Sequence, residues 1–317
     1  MSGPFRFGYQ TFAPSSAAEW RDDARKAEDL GYSTLSLADH YIGAGAASEA
    51  ASHPPQTVAA VPAMMAAAAA TSSINIGCRV FCCDYHLPLV LLSEMGTIDL
   101  LSDGRLEAGF GAGWVASEYQ AMNLPMDRPG VRIDRMIEYV EFARQFFAGE
   151  ELDYAGDHVR VSGTTGMRSP QPDGPRFMIG GGSPRVLGLA GRHADIVSIN
   201  FDNSDGKIGE HGLRSGTAEG TGNKVEWIRA GAGERFDELE IEIGAYFTVV
   251  TDHRQPTIEA MAPAMGMTPE AMAEHPHTLV GSVDDICDTL RERRERYGIS
   301  YVTVGASVLD DLSLIHI

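Results

Sequence analysis

Lysine is scarce in this chain of 317 residues: Lys26, Lys207 and Lys224 are the only ones. None falls at the end of an expected strand, so Schiff-base chemistry of the aldolase type has no residue to carry it. Positive charge is short overall. Lys and Arg number 25 against 44 Asp and Glu, a formal net charge of −19. A duplex-binding face needs clustered basic residues, so nucleic acid is not an expected partner. No polybasic segment invites an anionic membrane. No run of eighteen apolar residues reads as a spanning helix, and the opening Met-Ser-Gly-Pro-Phe-Arg-Phe-Gly lacks the pattern of a signal peptide. The four cysteines, Cys78, Cys82, Cys83 and Cys287, fit no zinc spacing. Reduced thiols in a cytoplasmic enzyme are the expectation. There is no His/Asp/Glu cluster suited to a metal, no Gly-x-Ser-x-Gly elbow and no carboxylate pair placed for glycoside cleavage.

Apolar residues are abundant, at 44%, enough for a large core. The most informative stretch runs from Asp99 to Glu118. Ser102-Asp103-Gly104 reads as a turn closing a helix, with Gly104 supplying a positive φ. A strand from Arg105 to Phe110 follows. Gly109, Gly111 and Gly113 then alternate with Phe110, Ala112 and Trp114. Two readings stand. The missing Cβ atoms let a flat or anionic ligand lie on the backbone, or they let a neighbouring element of the protein pack closely. The spacing differs from the Gly-x-Gly-x-x-Gly of dinucleotide folds.

The remaining chain alternates strand and helix. Strands are expected at Phe5 to Gln10, Thr34 to Ala38, Ile74 to Phe81, Phe177 to Ile179, Asp195 to Asn200, Ile241 to Val250 and Tyr301 to Val304. Ser16-x-x-Glu19 and Ser282-x-x-Asp285 open helices as capping boxes. Segment 42–56 reads as a loop, 149–175 as an excursion holding a small hairpin, and 201–223 as a mobile loop before a short helix at Val225 to Ala230. Eight strands with intervening helices predict an α/β fold, a (β/α)8 TIM barrel, as a single domain over 1–306. The eighth helix is expected to be missing or truncated, and 307–317 reads as a truncated frame or foreign tail.

Reacting groups in a parallel barrel lie at the carboxyl ends of the strands. Those ends are Tyr9, the pair Asp39-His40, Arg79-Val80-Phe81, Gly109 to Trp114, Gly180-Gly181-Gly182-Ser183 and Asn200. The glycine turn at 180–183 leads into a helix opened by Pro184, where free N–H groups and the dipole favour a phosphate; the alternative is a loop that only needs flexibility. His40 is either a packed or capping residue or a catalyst. Trp114 is the floor of a flat-ligand pocket or part of the core.

These residues together resemble the luciferase-like monooxygenase superfamily. The resemblance is carried by Asp39-His40, by Ile76-Gly77, and by Asp99-x-x-Ser102-Asp103-Gly104-Arg105 leading into Gly109-x-Gly111-x-Gly113-Trp114. Phe177-Met-Ile-Gly-Gly-Gly-Ser-Pro with Ala190-Gly-Arg-x-Ala-Asp195 completes it. It spans roughly residues 5 to 305 and is nearest to the branch that uses the deazaflavin coenzyme F420.

The resemblance implies a deazaflavin or, alternatively, FMN at the barrel mouth. Asp39 and His40 would approach the ring, and a non-proline cis peptide would support it at Arg79-Val80. Gly111, Gly113 and 180–183 would hold ribityl and phosphate groups. His40 would handle a proton, while Tyr9 and Trp114 would line the substrate pocket. Relatives that oxidise a sugar phosphate carry glutamate where Trp114 falls and a tryptophan where this chain reads Gly43-Ala-Gly-Ala-Ala, so that substrate is not expected, and Trp114 and Tyr9 suggest a more apolar one. The leading function is hydride transfer with F420. The alternatives are an FMN-dependent monooxygenase and a deazaflavin carrier or sensor without turnover. A homodimer is left open.

Overall fold

The computed structural model describes residues 4–311. Its first half contains β1 (Arg6–Gln10), α1 (Ala17–Asp29), β2 (Thr34–Leu37), α2 (Ala46–Ala51), α3 (Ala60–Ala70), β3 (Asn75–Cys78), β4 (Phe81–Cys82), α4 (Pro88–Leu101), β5 (Leu106–Gly111), α5 (Ala116–Ala121) and α6 (Pro129–Ala148). A hairpin, β6 (Glu151–Ala155) and β7 (Arg160–Thr165), interrupts the alternation. There follow β8 (Arg176–Gly181), α7 (Pro184–His193), β9 (Ile196–Ile199), α8 (Glu210–Ser215), α9 (Ala218–Ala232), β10 (Glu240–Gly244), β11 (Phe247–Val250), α10 (Arg254–Met261), α11 (Pro269–Glu274), β12 (Thr278–Gly281), α12 (Val283–Tyr297) and β13 (Ile299–Gly305).

The barrel closes in the order β3-β2-β1-β13-β10-β9-β8-β5, with β5 pairing back onto β3 and the short β4 continuing the β3 stave. Every pairing within it is parallel. The expected (β/α)8 barrel is therefore present. β2 and β9 are buried along their whole length, as strands covered on both faces must be. Inside the barrel, below the mouth, Arg6 bridges Glu107 at 2.7 Å and Glu240 at 2.5 Å, and its guanidinium lies 4.3 Å from the Tyr301 ring centroid. That ion network plugs the floor.

Several expectations need correction. The strand Ile74 to Phe81 is two pieces, β3 and β4, divided at Arg79-Val80. Ile241 to Val250 is also two pieces: β11 leaves the barrel and pairs in parallel with β12, which the sequence reading did not foresee. Segment 201–223 is not one loop, since it holds α8 and the start of α9, and α9 runs from Ala218 rather than Val225. Segment 42–56 includes α2. Ser16 does accept from the Glu19 N–H, but the Glu19 carboxylate turns to Ser15 instead of closing a box. After β13 the chain makes a turn in which Val308 and Leu309 are buried and the Leu309 carbonyl accepts from Tyr32 Oη at 3.0 Å. The tail expected from residue 307 falls partly here, and its last residues, 312–317, lie outside the described residues.

Candidate active site

The carboxyl ends of the barrel strands surround a cavity of about 640 Å³. Asp39, His40, Arg79, Val80, Gly111, Gly113, Trp114, Gly180, Gly181, Gly182 and Ser183 all line it. Tyr9 does not, and its expected place in the pocket is wrong. Side chains alternate along a strand, and Arg6, Gly8 and Gln10 take the inner face of β1, where Gly8 meets Tyr301. Tyr9 points outward, fully buried, beside Tyr32 and 3.5 Å from Asp23 on α1. Gln10 is the residue β1 gives to the cavity.

The Asp39-His40 pair is held by carboxylate and imidazole partners from elsewhere in the chain. Asp39 Oδ2 accepts from the Cys82 N–H at 3.0 Å and sits 2.8 Å from His86 Nε2. Asp39 Oδ1 is buried without a partner among the described residues. His40 Nδ1 lies 2.8 Å from Oε2 of Glu118, a fully buried carboxylate on α5. The Tyr41 N–H and the Tyr85 hydroxyl, at 3.0 Å, also donate to Glu118. A carboxylate so fixed makes Nδ1 the donor and leaves Nε2 as the nitrogen able to exchange a proton.

A second histidine, His53, stands beside His40 with ring centroids 4.2 Å apart, and Trp114 packs against both, 5.9 Å from His40 and 5.8 Å from His53. The Pro54 carbonyl accepts from His53 Nδ1 at 2.7 Å. Burial first, and then neighbouring His40, push the His53 pKa down to about 4, so it is neutral at pH 7. Glu118 and His53 were both missed from sequence. No local spacing marks Glu118 as a partner of His40, 78 residues away. His53 sits in a Ser- and Pro-rich loop with no periodicity.

The peptide bond Arg79-Val80 is cis. Arg79 donates from Nε to Glu242 Oε1 at 2.9 Å and from Nη1 to Tyr246 Oη at 3.1 Å. Burial is the largest single influence and works against its charge, but Glu242 and Tyr246 together outweigh it and the Arg79 pKa is raised.

The glycines serve the protein's own packing first. A Cβ on Gly111 would come 2.6 Å from Val80 Cγ2. A Cβ on Gly109 would collide with the Cys78 carbonyl, on Gly113 with Tyr119 Oη, on Gly181 with Val186, and on Gly182 with the Phe201 backbone. Gly113 also has φ +73°. Of the two sequence readings, close packing is the one these contacts fit.

Two helix starts meet at the 180–183 turn. α7 begins at Pro184 and α6 at Pro129; Arg185 Nη1 donates to the Gly130 carbonyl at 3.0 Å, tying them together. Arg132 lines the cavity there and spends its donors on the Ala112, Gly113 and Asp127 carbonyls. Free N–H groups, two helix dipoles and a guanidinium with no carboxylate partner among the described residues give this end a positive field. Ser183 caps nothing through its side chain.

The sequence profile of the luciferase-like monooxygenases matches residues 2–279. The chain belongs to the luciferase-like monooxygenase family. Among relatives in this family, it is 29% identical over 204 residues to the F420-dependent glucose-6-phosphate dehydrogenase of Microbacterium testaceum, covering 62% of this chain and 56% of that one. It is 26% identical over 216 residues to the 5,10-methylenetetrahydromethanopterin reductase of Archaeoglobus fulgidus, covering 68% and 59%. The chain thus spans little more than half the length of these relatives. The coenzyme F420 dependent tetrahydromethanopterin reductase of Methanopyrus kandleri superposes over 98% of both chains with a TM-score of 0.76 at 19% identity, a likeness that establishes the fold.

Proposed function

We propose that this luciferase-like chain is a coenzyme F420-dependent oxidoreductase that moves a hydride between the deazaflavin and a small organic molecule. The observation that carries the reading is convergence. Asp39, His40, Arg79-Val80, Gly111 to Trp114 and Gly180 to Ser183 come from separate strands and border one cavity. The F420 dependence of the Microbacterium testaceum relative adds support.

The residues fit such a cofactor on two counts. The 180–183 turn with Arg132 offers an anion site for its phosphate. Asp39 Oδ1, buried and unpartnered, is an acceptor for a ring or ribityl donor. The bound deazaflavin supplies the two-electron chemistry. The chain's own work is positioning and proton handling. Glu118 orients His40, and Nε2 of His40 takes or gives the proton that accompanies hydride transfer. Val80 fills the space against Gly109, Gly111 and Gly180 and shapes the floor on which a planar group would rest.

Titration with F420 and with FMN, read by tryptophan fluorescence, tests the reading. Trp114 lines the cavity, so F420 is expected to quench emission at a 1:1 ratio and FMN to bind at least tenfold more weakly. Quenching by FMN alone would favour the monooxygenase reading, and quenching by neither would end the proposal.

A further inference from the structure

Part of the cavity lining has a distinct chemistry. Phe12, Trp114, Leu213, Phe247, Met265 and Val308 line it, contributed by segments that follow β1, β5, β9, β10 and β13. All but Val308 are half-buried, and Val308 is buried. The polar residues beside Phe247 and Val308 in the lining, Thr248 and Ser307, are uncharged. His40 and His53 form a pair within an aromatic strip in which Phe12 stacks on His53 at 6.1 Å and 29°.

Each charged side chain lining the cavity already holds a partner within the protein, although Asp39 Oδ1 and Arg79 Nη2 themselves have none among the described residues. Arg79 is paired with Glu242, and Arg132 holds three carbonyls. Asp39 holds Cys82 N and His86, while Asp202 Oδ1 accepts from the Ser204 N–H. Lys224 Nζ donates to the Asn200 carbonyl at 2.6 Å and does not line the cavity. A substrate phosphate there would have to compete with Glu242 for Arg79 or with three carbonyls for Arg132, and would otherwise lie among apolar side chains. Burying such a dianion among apolar side chains is costly. A hydrocarbon body loses nothing there and gains by leaving water.

We propose that this side of the site takes an uncharged substrate with a hydrocarbon body and one oxygen function, the body against Phe247, Met265 and Val308 and the oxygen at the His40–His53 pair. The assignment rests on the reading of the cavity as an F420 site and narrows its substrate class. It separates this chain from a sugar-phosphate oxidoreductase.

The test uses protein first loaded with F420, so a failure to load is a failure of the cofactor reading and is recorded separately. Calorimetric titration of the loaded protein with 2-octanone and with glucose 6-phosphate then compares the two chemistries. The ketone is expected to bind at least tenfold more tightly. Phe247→Asp is expected to weaken ketone binding at least tenfold with F420 affinity within twofold of the parent. Met265→Ala, a milder change, is expected to weaken it about threefold and keeps the test open should the first variant misfold. Glucose 6-phosphate binding as tightly as the ketone, no binding of the ketone, or ketone affinity indifferent to the folded variants would each overturn the proposal.

Discussion

Val80 crowds three of the glycines at the strand ends, though Gly109 is held first by the Cys78 carbonyl, 2.0 Å from its ideal Cβ. Ideal Cβ atoms on Gly109, Gly111 and Gly180 would lie 3.1, 2.6 and 3.3 Å from the Val80 methyl groups. At Gly111 this one side chain is the deciding contact. Gly111 has no positive φ, so its need for glycine is steric and not conformational. A coupling follows that can be measured. Gly111→Ala alone is expected to cost about 2 kcal/mol through overpacking. In a Val80→Ala background the same change should cost less than about 1 kcal/mol, because the clashing Cγ2 is gone. Urea denaturation of the four proteins of this cycle checks it, and equal costs in both backgrounds would contradict the packing account. The same geometry limits what Gly181 can report. A bulky residue there strikes Val186 before any ligand, so lost binding would not by itself identify a phosphate site.

At the scale of elements, the segment from β11 through β12 stands apart from the barrel. It pairs only with itself and has its own small core of Ile258, Ala262, Met272 and Val280. β11 is half-buried throughout, and Phe247 and Met265 bring this segment to the cavity. His275 and His277 lie fully buried just before β12. Burial first depresses both, His275 to about 4 and His277 well below its ordinary value. Opening exposes them to water, where each titrates near pH 6.5. The open form thus binds more protons, and closure loses stability as pH falls from about 6.5 toward 4. Hydrogen exchange, corrected for intrinsic rates, should show β11 and β12 losing protection between pH 7 and 5.5 by at least tenfold more than β5 and β8. Equal losses would show that the segment does not open as a separate unit.

This segment also shows where sequence reading stops. Apolar alternation marks Ile241 to Val250 as one strand, but which neighbour each half joins depends on a partner 31 residues on. The same limit hid Glu118, whose role is set by His40 across the fold. Tyr9 went wrong for a smaller reason. A shift of one residue reverses the face of a strand, and nothing in Phe5 to Gln10 fixes that parity without the Arg6–Glu107 and Arg6–Glu240 ion pairs.

For the whole molecule, the alternation of strand and helix made the barrel legible, and a barrel sends its strand ends to one mouth. Asp39-His40, Arg79-Val80 and the 180–183 turn were therefore readable before any coordinates, since each follows an apolar run. The residues that orient and surround them were not, because loops carry no periodicity. Cofactor, proton carrier and substrate wall all depend on that single mouth being where a deazaflavin binds. The structure of the chain with F420 bound measures this most directly. The account predicts the cofactor phosphate at the Gly180–Ser183 turn and its ring within contact of Asp39, His40 and Val80. F420 found outside this cavity, or inside it with the phosphate against Phe247 and Met265, would contradict the account.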